Sequence, residues 1–274
     1  MTDTAAQPAR IARFRELHDG PDLFLIPNPW DAGSAAVLAS LGYQALATTS
    51  SGFAATLGRL DGRVTRDEAI AHAAVIVAAT DLPVSADLEH GFAVEPAGVA
   101  ETVRLALGTG LAGCSIEDST SHAGDPIFER ALAVERVRAA VAAAGDGERR
   151  LVITARSEGY LWGRPDLAEA IARLQAFQEA GADVLFAPGV RDIDEIRTLV
   201  AEVDRPVNVI ASPGGPTVAE LADAGVRRVS VGGGFAWAAM GGLVDAATEL
   251  LEHGTYAFGE QCARGRTAAR AAFS

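Results

Sequence analysis

Four carboxylates fall within two short stretches that each complete an apolar run: Asp87 and Glu89 in SADLEHGF (85–92), Glu117 and Asp118 in GCSIEDS (113–119). A third stretch, ITARSEG (153–159), adds Arg156 and Glu158, and Asp61 stands in a long loop upstream. Carboxylates brought together without compensation raise one another's pKa values, so such a group needs something positive in its midst. No His/Cys cluster at metal-ligand spacing accompanies them. Oxygen donors alone point to a hard cation, Mg²⁺ first and Mn²⁺ second. Mg²⁺ takes one or two carboxylates and keeps waters, which leaves positions for a bidentate oxyacid. Taken singly, each of these acids could equally cap a helix or solvate a loop. Their joint arrival at successive strand ends carries the inference.

The strands that would place them are eight short apolar runs: LFLIP (23–27), ALATT (45–49), PVSAD (83–87), GCSIE (113–117), LVITAR (151–156), VLFAP (184–188), VNVIA (207–211) and RVSVG (228–232). Amphipathic stretches such as RDEAIAHAAVIVAAT, VERVRAAVAAAG, DLAEAIARLQAFQEAG and TVAELADAG alternate with them, several ending in a helix-terminating Gly. Strands apolar throughout, each followed by a helix, predict an α/β fold of the (β/α)8 TIM type, a doubly wound open sheet being the competing arrangement. In the barrel, strand C-terminal ends face the active site. Asp87 and Glu89 then close strand three, Glu117 and Asp118 strand four, and Arg156 and Glu158 strand five. With no linker long enough to divide the chain, residues 1–274 read as one domain, with a C-terminal helical arm over about 254–274 that could pack on a neighbouring subunit.

Several function classes fall away on composition. A net charge of −13 without a basic cluster argues against nucleic acid and anionic membrane surfaces. All 23 basic side chains are Arg, and the absence of Lys excludes Schiff-base chemistry. GGGF (232–235) lacks dinucleotide or P-loop spacing, although it could place amides near an anion. Cys114 and Cys262 are too few for a disulfide framework. No signal-peptide core and no run of about 18 apolar residues is present, so a cytoplasmic protein is expected.

The run IPNPWDAGSAAVLASLGYQALATTSSGFAATLGRLDG, followed by DLPVSADLEHGF, GCSIEDS and ITARSEG, resembles the isocitrate lyase and phosphoenolpyruvate mutase superfamily from about residue 20 to 250. The resemblance implies a barrel whose last helix is exchanged with a partner subunit, usually in a homotetramer, and a Mg²⁺-dependent site for small 2-oxo or 2-hydroxy acids. By position it implies Asp87, Glu89 (where members more often have Asp) and Glu117 as the metal set. Arg156 matches the strand-five arginine, Asp61 the acid of the loop after strand two, and Ser50, Ser51 and Gly52 a cradle for the substrate carboxylate.

The loop DSTSHAGD (118–125) departs from the pattern. It has neither the Cys of isocitrate and methylisocitrate lyases nor the Lys and Asn of the phosphorus-handling members. The expected activity is therefore carbon–carbon cleavage of the oxaloacetate decarboxylase type, through a metal-stabilised enolate. The alternatives are carbon–phosphorus chemistry and a barrel that binds a small acid without catalysis. His122, the one side chain in that loop of a type whose unperturbed pKa is near neutrality, is the candidate to protonate the enolate, and Asn208 the candidate contact for the distal substrate group. His90 reads as structural.

Overall fold

The computed structural model describes residues 6–273; residues 1–5 and 274, the outer limits of the expected domain and arm, lie outside it. Its strands are β1 (Phe24–Ile26), β2 (Leu46–Ala47), β3 (Val84–Asp87), β4 (Gly113–Glu117), β5 (Val152–Arg156), β6 (Val184–Phe186), β7 (Val207–Ile210) and β8 (Arg228–Ser230). Each lies inside one of the eight apolar runs. All are parallel, in the order β1-β8-β7-β6-β5-β4-β3-β2. Pairing of the first strand with the last, Phe24 with Arg228 through Ile26 with Ser230, excludes the doubly wound sheet. The Ala47 N–H donates to the Pro27 carbonyl (3.1 Å) and brings β2 to β1, so the barrel is nearly closed.

Helices surround it: α1 (Gln7–Asp19), α2 (Ala32–Ser40), α3 (Ser50–Thr56), α4 (Arg66–Ala78), α5 (Pro96–Leu107), α6 (Arg130–Ala143), α7 (Leu167–Glu179), α8 (Ile193–Ala201), α9 (Val218–Asp223), α10 (Gly234–His253) and α11 (Gly259–Ala272). Their starts are written locally. Asp31, Thr65 and Thr217 form reciprocal capping boxes with Ser34, Glu68 and Glu220. Helix α1 closes the bottom of the barrel, with Phe14 fully buried. A Cβ on Gly113 would meet Phe14 Cε1 at 3.0 Å and the Val152 carbonyl oxygen at 2.6 Å, so β4 must start with glycine for α1 to seat. Gln7 ties α1 down by donating to the carbonyls of Leu107 and Leu111.

The segment expected as a C-terminal helical arm, about 254–274, carries α11, which has no buried residue and touches α2 of its own chain; the helix before it, α10, is also largely uncovered. Of its twenty residues only Ala236 is buried, while Trp237, Met240, Leu243, Val244 and Leu250 are exposed. On the barrel, Leu25 of β1 is 38% exposed between two buried neighbours, so its outward face lacks a covering helix. Among the described residues no helix is long and apolar enough to cross a membrane.

Candidate active site

Arg156, the last residue of β5, organises the upper mouth of the barrel. Its Nη1 donates to Asp87 Oδ1 (2.9 Å) and its Nε to Glu158 Oε1 (2.8 Å), and Nη2 is paired with Glu117 Oε2 at 3.2 Å. The planar fork thus spans three strand ends, which a lysine could not do. Burial opposes its charge, but Glu158, Glu117 and Asp87 outweigh burial and keep it firmly charged. One guanidinium cannot balance the acids around it. Burial, then Glu158, drives Glu117 well above the ordinary carboxylate range, and burial likewise raises Glu158. Burial, then Asp87, also raises Asp61, which sits on an exposed loop with its carboxyl turned to the same place.

Glu89 is the most displaced acid with a defined value: burial, then the charges of Asp87 and Asp61, push it to about 8. It does not continue β3. Its φ is +47°, followed by Gly91 at +74° and Phe92 at +56°, so two non-glycine residues occupy left-handed backbone. Such residues cost about 1–3 kcal/mol each unless the surroundings hold them. Arg136 of α6, almost fully buried, is placed to do so. Its guanidinium donates to the carbonyls of His90, Ala93 and Val94 and lies 4.1 Å over the Phe128 ring. Asp118, one residue past β4, receives the Glu158 N–H (2.8 Å) and Arg173 Nη1 (3.2 Å), and its carbonyl accepts from Phe128. It is a structural anchor of the loop.

Below this mouth lies a cavity of about 230 Å³ lined by Asp61, Ser85, Asp87, Ser115, Arg156, Asn208, Arg228 and Ser230, with Ile26, Leu161, Phe186 and Pro188 as apolar wall. Of the expected site residues, Asp61, Asp87, Arg156, Ser50, Ser51 and Asn208 meet there. Others are placed differently. Glu89 and Glu117 stand behind the lining. Gly52 is a packing glycine: its N–H donates to Thr49 Oγ1, and a Cβ would meet Thr49 Cγ2 at 2.6 Å. The Ser50 N–H is taken by Asp87 Oδ2 at 3.3 Å, so the expected carboxylate cradle is already partly occupied from within. Asn208 is held by Arg228 Nε (2.8 Å) and Ser230 Oγ (3.0 Å). His122 is exposed on the loop after β4, outside the cavity, its backbone N–H donating to Thr120 Oγ1. His90 is partly buried, its Nδ1 3.5 Å from Ser121 Oγ, in keeping with a structural part.

The carboxylates do not assemble into a ready cage. Among the described residues no group of three or more His, Cys, Asp or Glu side chains is arranged to hold a metal ion, because the Arg156 fork stands between Asp87 and Glu117. The donor chemistry nevertheless fits a hard cation that keeps most of its water. The donors are all oxygen, Asp87 stands at the wall, and around the one guanidinium burial together with neighbouring carboxylates raises the pKa values of Asp61, Glu89, Glu117 and Glu158.

The sequence reading missed Arg228 and Arg136. A periodic signal existed for the first: a strand alternates its faces, so Arg228 and Ser230 of RVS point the same way, into the barrel. Arg136 lies in a helix rich in arginines and nothing in its spacing marks it.

The family model for phosphoenolpyruvate phosphomutase matches residues 14–251. The crystal structure of a Burkholderia cenocepacia protein described only as a lyase/mutase is 49% identical, with a TM-score of 0.93 over 97% of this chain and 96% of that one. The oxaloacetate decarboxylase of Chromohalobacter salexigens is 30% identical over 248 residues, 86% of this chain and 83% of its own. The structure of oxaloacetate acetylhydrolase with its product oxalate is 26% identical, with a TM-score of 0.83 over 96% and 94% of the two chains.

Proposed function

Since the chain belongs to the phosphoenolpyruvate phosphomutase family of the isocitrate lyase/PEP mutase superfamily, whose named members here include carbon–carbon lyases, we propose that it cleaves a carbon–carbon bond of a small 2-oxo or 2-hydroxy acid, in the manner of an oxaloacetate decarboxylase. The observation that carries this reading is the Arg156 fork, fixed between Asp87, Glu117 and Glu158 on the wall of a small cavity lined by both polar and apolar side chains. Asp87 would hold Mg²⁺ or Mn²⁺ directly, with Glu89 and Glu117 reaching it through water. When bound, such an ion supplies a Lewis acid for the oxo and carboxylate oxygens of the substrate.

The chain's own residues supply the rest. Arg156 offers a rigid positive charge where an enolate oxygen develops, already oriented by its three acids, so little reorganisation accompanies the reaction. Asp61 and the hydroxyls of Ser50 and Ser51 border the same space. Ile26, Leu161, Phe186 and Pro188 limit water on the remaining wall, which strengthens each charge interaction within. His122 lies outside, so a proton from it reaches the product enolate only if the loop after β4 folds inward.

The working form is proposed to be a homo-oligomer, dimer or tetramer, in which α10 covers the bare outer face at Leu25 of a second copy. The uncovered apolar side of α10 supports this. The unpaired cysteines, Cys114 buried and Cys262 exposed, agree with a cytoplasmic location.

The test is turnover by the purified protein, with and without Mg²⁺, across oxaloacetate, substituted malates, methylisocitrate and phosphonopyruvate. Metal-dependent cleavage of an oxo or hydroxy acid is expected. Phosphate release from phosphonopyruvate alone would assign carbon–phosphorus chemistry, and binding of oxalate without any turnover would leave a binding barrel.

A further inference from the structure

The cavity floor holds a cation that has no anion. Arg228 opens β8 and is 5% exposed, yet it lines the same cavity as Asp87 and Arg156. Its Nε donates to Asn208 Oδ1 (2.8 Å) and its Nη2 to Thr154 Oγ1 (3.1 Å), while Nη1 lies 3.2 Å from His18 Nε2. His18 Nδ1 is 2.7 Å from the Phe14 carbonyl, which only a protonated Nδ1 can satisfy, so Nε2 accepts from Arg228 and the ring is neutral. Burial, then Arg228, pushes the His18 pKa down to about 3, in agreement with that tautomer. The guanidinium has five N–H groups, of which these contacts use three. Among the described residues no Asp or Glu pairs with it; burial, then the like charge of Arg156, pulls its pKa down to about 9.

A buried charge is normally paired, and a chain that keeps one unpaired in the lining of a cavity has a reason to do so. Asn208 and Ser230 accompany it. The Asn208 amide donates to Ser230 Oγ, which frees the Ser230 hydroxyl hydrogen for another acceptor. The floor thus presents unused N–H and O–H donors and positive charge, while the wall above presents Arg156 among carboxylates.

We propose that Arg228, with Ser230 beside it, is a recognition point for a second carboxylate, so that the cavity selects a short 2-oxo or 2-hydroxy dicarboxylate over the corresponding monocarboxylate. This rests on the small-acid reading above. One end of the ligand meets Arg156, and the other the floor. Asn208 acts through Arg228 as a positioning residue, since both polar atoms of its amide are engaged within the protein.

Calorimetric titration with malate and with lactate, in the presence of Mg²⁺, isolates the distal carboxylate, the difference between these 2-hydroxy acids that bears charge. The wild-type protein is expected to prefer malate tenfold or more. Arg228→Met should lose at least tenfold in malate affinity while lactate affinity stays within about twofold, and Arg228→Lys should keep part of the preference because it keeps the charge. Cooperative thermal unfolding reports whether each variant is folded. Equal affinities in the wild-type protein, or an undiminished malate preference in a folded Arg228→Met, would overturn the assignment and leave the small-acid reading standing. Failure of both acids to bind the wild-type protein would remove that reading and this inference together. Since the wild-type comparison decides by itself, a variant that does not fold leaves the question answerable.

Discussion

Glu89→Gln tests the electrostatics of the mouth through stability, without requiring a substrate. In the folded, metal-free chain, burial and the charges of Asp87 and Asp61 raise this carboxyl from 4.5 to about 8. Below pH 4.5 it is protonated whether the chain is folded or not, and its effect on stability is nil. Between 4.5 and 8 the folded chain holds a proton that the unfolded chain has released, so stability falls as pH rises. At about 1.36 kcal/mol per pKa unit, the interval amounts to about 5 kcal/mol in total, of which roughly 3 to 4 kcal/mol is lost between about pH 5 and pH 8. Glutamine keeps the shape and removes the titration. Urea unfolding in EDTA, at both pH values, should therefore show wild type losing roughly 3 to 4 kcal/mol more than the variant. Glu117, Glu158 and Asp61 titrate in the same direction, and the difference between the two proteins cancels their share to first order. Mg²⁺ should recover more wild-type stability at the higher pH, where the cation replaces a proton. Parallel pH profiles for the two proteins would show that Glu89 is not crowded as described.

Arg136→Met should destabilise the folded chain by about 2 to 4 kcal/mol, because three loop carbonyls and the Phe128 ring lose their cation; an unchanged urea midpoint would contradict the clamp. Arg136→Lys should recover little, since an ammonium cannot span three carbonyls as a fork does. Leu25→Arg and Leu243→Glu place charge on the two faces proposed to meet between subunits. Each should lower the mass measured by light scattering relative to wild type, and an unaltered mass in both would refute that interface.

Much of this architecture was legible because a parallel barrel buries its strands on both sides, leaving eight uninterrupted apolar runs, each of which contains a strand. The acids were legible for the opposite reason: Asp87, Glu117 and Arg156 are polar where those runs end. What escaped depended on contacts remote in sequence. That Glu89 leaves the strand with φ +47° follows from a loop held by Arg136, 47 positions along the chain, and local spacing carries no trace of it. That Arg156 stands between Asp87 and Glu117 requires the register of β3, β4 and β5. His122 is the one imidazole in its loop, but where that loop places it relative to the cavity is a tertiary fact. The helical composition of 259–272 is plain in the sequence, whereas its contact with α2 is a tertiary fact.

The central claim is that the acidic mouth is built to be neutralised by a divalent cation held at Asp87. Equilibrium Mn²⁺ binding, read by the loss of the free-ion paramagnetic resonance signal, tests it on the wild-type protein and on Asp87→Ala. One Mn²⁺ per chain, displaced by Mg²⁺ and lost in an Asp87→Ala protein that still unfolds cooperatively, is the expected result. No binding by wild type, or equal binding by both proteins, would contradict the claim.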